Sequence, residues 1–357
     1  MLSRREFLQA AGLAFSGLAL TGLGFAPPPG LLAKPWPPEE GAFYPEMLAR
    51  VTTRAIYIYE QPDFQSPRLG HLQRDDLVRL AEAFDSPYGP AYNPRWYRLA
   101  EGYVHSGYLQ RIEQWRLNDS LPKIPPGGQL GEITVPFMQA QRISRTHKLT
   151  PLYWLYYGSV HWITGMFPGP DGAVWYELTD DLLKVKLGLP AYTVRPIPPE
   201  ELAPIDPHIP PEEKRLEVSL TGQTLRAFAG DRLVYETACS TGIPFLGTSS
   251  DLPTETPAGR HRISVKVPSK HMGDGELTAE REAYELLGVP WVSFFHKWGI
   301  AFHGTYWHDN FGRRMSHGCV NLRNRDALWV YRWTLPGAGP ADWNTKGGGT
   351  TVDVTGG

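Results

Sequence analysis

Cysteine is scarce in this chain: 357 residues include two, Cys239 and Cys319. One intramolecular bridge is the most they can form, so a disulfide framework is excluded as the basis of the fold. Charge of one sign is lacking as well. Against 37 acidic residues stand 35 Lys and Arg, for a net charge of −2. That balance excludes the basic footprint of a nucleic-acid binder and the polybasic mode of membrane-surface attachment. Long apolar runs are also missing. The longest stretch, Ala10 to Phe25, holds roughly 16 residues, many of them small, which is short for a stable membrane span.

What the chain does have is glycine, proline and aromatic side chains: 37 Gly, 34 Pro and 12% aromatics. That composition favours short strands joined by turns over long helices. At 357 residues, two or three domains of ordinary size are expected.

The N-terminus reads as an address. Ser3-Arg4-Arg5-Glu6-Phe7-Leu8 precedes the apolar run, and paired arginines before such a stretch resemble a twin-arginine export signal over residues 1–33. Cleavage near Ala26 or Ala33 and retention as an N-terminal anchor both remain open. A Pro-rich linker is expected over 34–50. From 51 to 115 short strands alternate with turns, and Gly102-Tyr103-Val104-His105-Ser106-Gly107-Tyr108-Leu109 resembles the close of a bacterial Src-homology-3-like barrel. A second small β unit is expected over 130–198, where Ala173-Val174-Trp175-Tyr176-Glu177-Leu178 echoes Arg95-Trp96-Tyr97-Arg98-Leu99. A second Pro-rich linker over 199–211 then leads into a last domain, 212–357.

That domain reads as mainly β. Leu216, Val218 and Leu220 alternate with polar residues, and Gly230-Asp231 lies between two further apolar runs as a hairpin turn. One helix is expected late in the chain, with Asn324 as its cap, Leu328, Tyr331 and Leu335 on one face, and Pro336-Gly337 as its stop.

The chemistry concentrates in His303-Gly304-Thr305-Tyr306-Trp307-His308 and Ser316-His317-Gly318-Cys319-Val320-Asn321-Leu322-Arg323. A thiol that attacks an amide needs a base to form thiolate, donors for the oxyanion and access to substrate. A nearby histidine supplies the first. Gly318 permits the tight turn that brings backbone N–H groups to a reacting carbonyl. Arg323 is placed to anchor a carboxylate. A zinc site from His296, His303, His308, His317 and Cys319 is the competing reading, but zinc ligands usually come at tighter, paired spacing. Cys239 ends an apolar strand and reads as a buried small hydrophobe.

The pattern H-G-x(12)-S-H-G-C-V-N-L-R resembles the catalytic signature of the L,D-transpeptidases, the YkuD-like family. Thr256-Pro257-Ala258-Gly259-Arg260-His261-Arg262-Ile263 is similar to a strand motif of that family, with His261 where an aromatic is usual. The resemblance spans about Glu212 to Val354. It implies a β-sandwich catalytic domain with a short helix, with Cys319 as nucleophile and His303 as base. The Gly304 carbonyl would orient the imidazole. Ser316, His317 and Gly318 would shape the loop, the N–H groups of Gly318 and Cys319 would form the oxyanion hole, and Ser316, Asn321 and Arg323 would hold loop and donor peptide. Tyr306 either lines an acceptor cleft or packs as part of a lid. The implied partners are peptidoglycan stem peptides, as donor and acceptor, and the twin-arginine export machinery; no cofactor, metal or nucleic acid is implied. Transfer to an amine, hydrolysis by water and a non-catalytic wall-binding role remain three alternatives.

Overall fold

The computed structural model describes residues 48–244 and 254–356. The export signal expected over 1–33 lies outside them. Their contacts divide the chain into two compact units: one runs from Leu117 through Thr305 and from Phe311 onward, and the other holds the strands up to Arg116 together with Tyr306–Asn310.

The N-terminal unit has eight short strands: β1 (Leu48–Val51), β2 (Ala55–Tyr59), β3 (Arg68–Gln73), β4 (Leu77–Arg79), β5 (Glu82–Asp85), β6 (Arg95–Arg98), β7 (Tyr103–His105) and β8 (Leu109–Ile112). They form a three-stranded sheet, β4-β1-β8, and a five-stranded sheet, β3-β2-β7-β6-β5. Strand β1 begins inside the stretch read as linker, because Leu48, Ala49 and Val51 are apolar and fully buried. Ile58, Leu72, Val78, Tyr97 and Val104 complete the core. Arg50 is buried among them and tolerated because its guanidinium donates to Asp75 Oδ1 at 2.8 Å and to Gln110 Oε1. Within the same unit, Asp309 N–H donates to the Gly107 carbonyl at 2.8 Å, and Asn93 Nδ2 donates to the Asp309 carbonyl at 3.0 Å.

The larger unit opens with seven strands: β9 (Gln129–Ile133), β10 (Phe137–Ile143), β11 (Leu149–Tyr156), β12 (Val160–Pro168), β13 (Val174–Thr179), β14 (Lys186–Pro190) and β15 (Val194–Pro196). They make one sheet in the order β11-β10-β14-β13-β12-β9-β15. After it come β16 (Lys214–Ser219), β17 (Thr224–Ala229), β18 (Arg232–Ala238), β19 (Gly259–Arg262), β20 (Val265–Gly273), β21 (Glu285–Phe294), β22 (Ala301–Gly304), β23 (Val320–Leu322), helix α1 (Asn324–Trp333), β24 (Thr345–Lys346) and β25 (Thr351–Thr355). These strands form two five-stranded sheets, β18-β17-β16-β25-β19 and β23-β22-β21-β20-β24. The fold is mainly β, as the sequence implies.

Strict alternation builds β16, whose residues are buried at every second position. Gly230, at φ +60°, makes the two-residue turn to β18 that the Gly-Asp pair announced. A single core joins the seven-stranded sheet to the two five-stranded sheets and the helix. Leu130, Val160, Trp162, Ile197 and Leu202 pack in one cluster with Leu216, Leu225, Phe302, Val320 and Val330. The Pro-rich stretch after Ile197 therefore contributes Leu202 to the core instead of running free.

Helix α1 differs from expectation at both ends. Arg323, not Asn324, occupies the N-cap position, with no side-chain cap bond. Asn324 is instead turned aside, its Nδ2 donating to the Gly158 carbonyl at 2.8 Å. At the other end the helix stops at Trp333, before Leu335. There two buried lysines meet the last carbonyls: Lys214 Nζ donates to Trp333 O at 3.0 Å, and Lys266 Nζ donates to Tyr331 O at 2.6 Å and to Thr334 O. Cations at the negative end of a helix are electrostatically favoured. Burial nevertheless pulls Lys266 down to about 7, with the charge of Lys214 adding to the effect.

Leu216 lies fully buried on the central part of its sheet. Leu216→Ala is expected to cost about 2–5 kcal/mol of stability through the cavity it leaves, read as a lowered denaturation midpoint with an unchanged slope.

Candidate active site

Two neighbouring parallel strands set the geometry. In β22 and β23 the register is Phe302 with Val320, His303 with Asn321 and Gly304 with Leu322. Cys319 stands one residue before the Phe302–Val320 pair and His303 one residue after it. The two are thus diagonal neighbours across adjacent strands, although 16 positions apart in sequence.

His303 is 3% exposed, and its Nδ1 hydrogen-bonds the Gly304 carbonyl at 3.0 Å. A carbonyl can only accept, so the bond requires an Nδ1–H, which leaves Nε2 as the basic nitrogen. Burial drives the imidazole down to about 4, partly offset by the Gly304 bond, so it is neutral at physiological pH. A side chain on Gly304 would collide with Asn324 Oδ1 and Pro290 Cγ, at 2.6 and 2.7 Å from its Cβ.

The loop that carries Cys319 is held from several sides. Ser316 Oγ donates to the Cys319 carbonyl and accepts from Gly318 N–H at 3.2 Å. The resemblance implied an oxyanion role for that N–H; here it is engaged within the loop. Gly318 adopts φ +115°, a backbone conformation that side-chain-bearing residues rarely enter. Thr256 is central: its hydroxyl donates to the Gly318 carbonyl at 2.8 Å and accepts from Gly242 N–H at 2.9 Å. Backbone pairs Ser240–Asn321 and Gly242–Ser316 extend the same junction. The Cys319 side chain is half-buried, with Sγ 4.0 Å from the Gly299 carbonyl.

The other expected residues have varied surroundings. His317 is half-buried, and burial lowers its pKa. Asn321 is buried and pairs through its backbone with Ser240. The Arg323 guanidinium lies over the Phe311 ring at 4.6 Å, with Asp326 at 4.0 Å. Tyr306 is 4% exposed and belongs to the N-terminal unit, where its carbonyl accepts from Arg50 Nη2 at 3.3 Å. Cys239 is fully buried, its thiol pushed up to about 12 by desolvation, and no disulfide links it to Cys319. Among the described residues, no group of three His, Cys, Asp or Glu side chains is arranged to hold a metal ion.

Two residues escaped the sequence reading. Thr256 was visible only as the first letter of the Thr-Pro-Ala-Gly motif, with nothing to show that its hydroxyl reaches the Cys319 loop. Tyr284 had no motif at all. Its phenol is pushed up to about 12, chiefly by burial, with the charges of Cys319, Asp274 and Glu285 adding to the shift.

The two-sheet part of this unit thus carries a half-buried cysteine on the loop that enters β23 and a buried neutral histidine on the adjacent parallel strand. Residues 213–354 match the family model YkuD, the L,D-transpeptidase catalytic domain. Over 114 residues the chain is 32% identical to a Bacillus licheniformis protein carrying the name L,D-transpeptidase YkuD, a stretch covering 32% of this chain and 56% of that protein. The chain thus spans little more than half the length of this relative. Similar solved structures include the L,D-transpeptidase (residues 123–326) of Xylanimonas cellulosilytica, 22% identical over 40% of this chain and 60% of that one, with a TM-score of 0.29. Another is an L,D-transpeptidase from Mycobacterium smegmatis, 15% identical over 62% and 82%, with a TM-score of 0.30.

Thr256→Val keeps the shape but strands a buried carbonyl and a buried N–H; a loss of about 1–3 kcal/mol is expected, with Thr256→Ser recovering most of it in the same thermal melts. A second expectation concerns pH. The folded state holds His303 at about 4 against 6.5 in the unfolded chain, so the unfolded chain takes up the proton first. His303 therefore contributes stability that is present above pH 6.5 and is lost as the pH falls toward 4. His161, held down to about 3 by burial, acts in the same direction. Melting temperatures measured from about pH 7 to about pH 4 should fall, and His303→Gln should flatten the slope.

Proposed function

We propose that this protein is an exported peptidoglycan L,D-transpeptidase working through a thioester on Cys319. The observation that carries the reading is the His-Gly and Ser-His-Gly-Cys-Val-Asn-Leu-Arg block, which lies inside the matched segment with His303 and Cys319 flanking one paired position of two parallel strands.

Neutral His303 accepts the Cys319 proton, and the thiolate attacks the carbonyl of the L,D peptide bond before the terminal D-alanine of a tetrapeptide stem. The tetrahedral oxyanion is met by the N–H of Cys319. Collapse breaks the C–N bond, and D-alanine leaves with the proton from the His303 imidazolium. The amine of a neighbouring stem then attacks the thioester, its proton passes to His303, a new amide forms and the thiol is restored. Arg323 takes a carboxylate of the donor, and Asn321 and His317 keep the loop in register. Every group used belongs to the protein, so no cofactor is required.

Peptidoglycan lies outside the cytoplasm, which fits the paired arginines near the N-terminus and delivery by the twin-arginine machinery to the cell envelope. The N-terminal strands, with their resemblance to a Src-homology-3-like barrel, suit a role in bringing the site to the wall. Water in place of the amine gives an L,D-carboxypeptidase with the same nucleophile.

Purified protein incubated with muropeptides and analysed by mass spectrometry is expected to yield cross-linked dimers. Cys319→Ala should abolish them, a loss of at least about a thousandfold for a nucleophile. Trimmed monomers without dimers would establish hydrolysis, and activity equal to the parent in the variant would remove Cys319 from the mechanism.

A further inference from the structure

Strand β23 has Cys319 before it and a cation after it. Arg323 continues the strand in extended backbone, at φ −60° and ψ 148°. The three residues of β23 keep Cys319 and Arg323 about 10 Å apart. Residues two apart in a strand share a face, so Arg323 lies on the face of Asn321. Asn321 in turn pairs with His303 across the parallel register. Arg323 and His303 therefore stand on one face of the sheet.

Phe311 and Asp326 set the place of the Arg323 guanidinium. Phe311, buried in the loop between β22 and β23, has its ring centre 4.6 Å from the guanidinium carbon. Asp326 acts on Arg323 twice. Its N–H donates to the Arg323 carbonyl at 2.9 Å in the first turn of α1, and its carboxylate stands 4.0 Å from Nη1. That separation is ionic attraction without a hydrogen bond. The carboxylate is 4% exposed and is engaged elsewhere. Oδ1 accepts from Tyr235 Oη at 2.8 Å and Oδ2 accepts from Thr237 Oγ1 at 2.6 Å, with Arg325 Nε 3.4 Å from Oδ1. Tyr235 and Thr237 are alternate residues of edge strand β18, so one face of that strand supplies both hydroxyls.

An acid that only complements the positive end of a helix needs no buried hydroxyls. A two-pronged bond to Arg323 would neutralise the cation, as Arg–carboxylate forks do. Here the hydroxyls of β18 hold the carboxylate, and it steers the guanidinium without closing a fork. We propose that Asp326, held by Tyr235 and Thr237, is a positioning residue for Arg323, and that Arg323 so placed takes a carboxylate on the part of the donor that stays on the enzyme in the thioester. The inference rests on the functional reading above for what Arg323 binds, though not for its geometry. Asp326 draws the guanidinium onward along the chain, away from Cys319. The carboxylate of the departing D-alanine, attached next to the scissile nitrogen, falls short of it. An amide at the retained position would offer one neutral acceptor in place of two charged oxygens. The site thereby discriminates a free acid from its amide in the donor stem.

The test uses the full chain and two donors: a tetrapeptide stem, and its analogue in which the carboxylates other than the terminal one are amides. Turnover is measured in the parent, and donor binding by calorimetry in the Cys319→Ala chain. The free acid should be favoured about tenfold in KM and in binding. Asp326→Asn, Thr237→Val and Tyr235→Phe should each erase most of that preference by raising KM for the free acid alone, with kcat within about twofold of the parent. Thr237→Ser should restore it. A merely structural role would lower the melting temperature and weaken both donors alike, leaving their ratio unchanged. Should Asp326→Asn fail to fold, the two hydroxyl variants still decide the matter. A parent without the preference, or variants that keep it, overturns the proposal. If the parent turns over neither donor while calorimetry shows the preference and its loss, the functional reading falls and the seating of Arg323 stands.

Discussion

One hydroxyl governs the arrangement of the site. Thr256 Oγ1 stands between the Gly242 N–H and the Gly318 carbonyl, accepting from one and donating to the other. The Cys319 loop has no sheet of its own; it leaves β22, passes through Tyr306–Asn310 and returns only at β23. Without a fixed point it would be free to move, because backbone polar groups that are not tied into a ladder are satisfied as easily by water. The Thr256 junction, continued by Ser240–Asn321 and Gly242–Ser316, fixes the loop just before Cys319. Gly318 adopts its unusual φ against this anchor, and Ser316 closes the turn from inside.

The rest of the larger unit converges on the same place from behind. A shared apolar core runs from Leu130 and Trp162 through Leu216 and Phe302 to Val330, so β22 and β23 are seated on a continuous packed layer. Helix α1 follows β23 directly and is secured at its C-terminal end by Lys214 and Lys266. His303 gains its neutral imidazole from that packing: the desolvation that lowers it to about 4 is the same burial that holds β22 in the core. The neutrality of the imidazole and the anchoring of the strand that bears it thus have one cause.

Much of this was legible in the sequence, and the limits have physical reasons. Period-two alternation announced β16, and Gly230-Asp231 announced its neighbouring turn, since both signals are local. The residues His303 and Ser316 through Arg323 stood out because acyl-transfer chemistry demands a rare combination in a short space. Thr256 did not stand out, because its importance depends on contacts with residues distant in sequence and no local pattern encodes such a meeting. The cap of α1 was misread for a related reason: Asn324 has the right chemistry for a cap, but a longer-range bond to Gly158 outcompeted it. Likewise the prolines after Ile197 suggested a spacer, and only the tertiary core shows that Leu202 is drawn inward.

The sheet that carries β16 has a property that bears on how the molecule comes into being. Strand β16 pairs in parallel with β25, from Arg215–Thr351 to Ser219–Thr355, so the first strand of the matched domain waits for the last. Loop closure over that distance is slow and entropically expensive. During synthesis β16 can pair with β17, but its other edge stays open until β25 has emerged from the ribosome. An open apolar strand edge invites wrong partners. The sheet therefore reaches its closed form only once β25 has been made, and a molecule cut before β25 would present to quality control a half-built sheet.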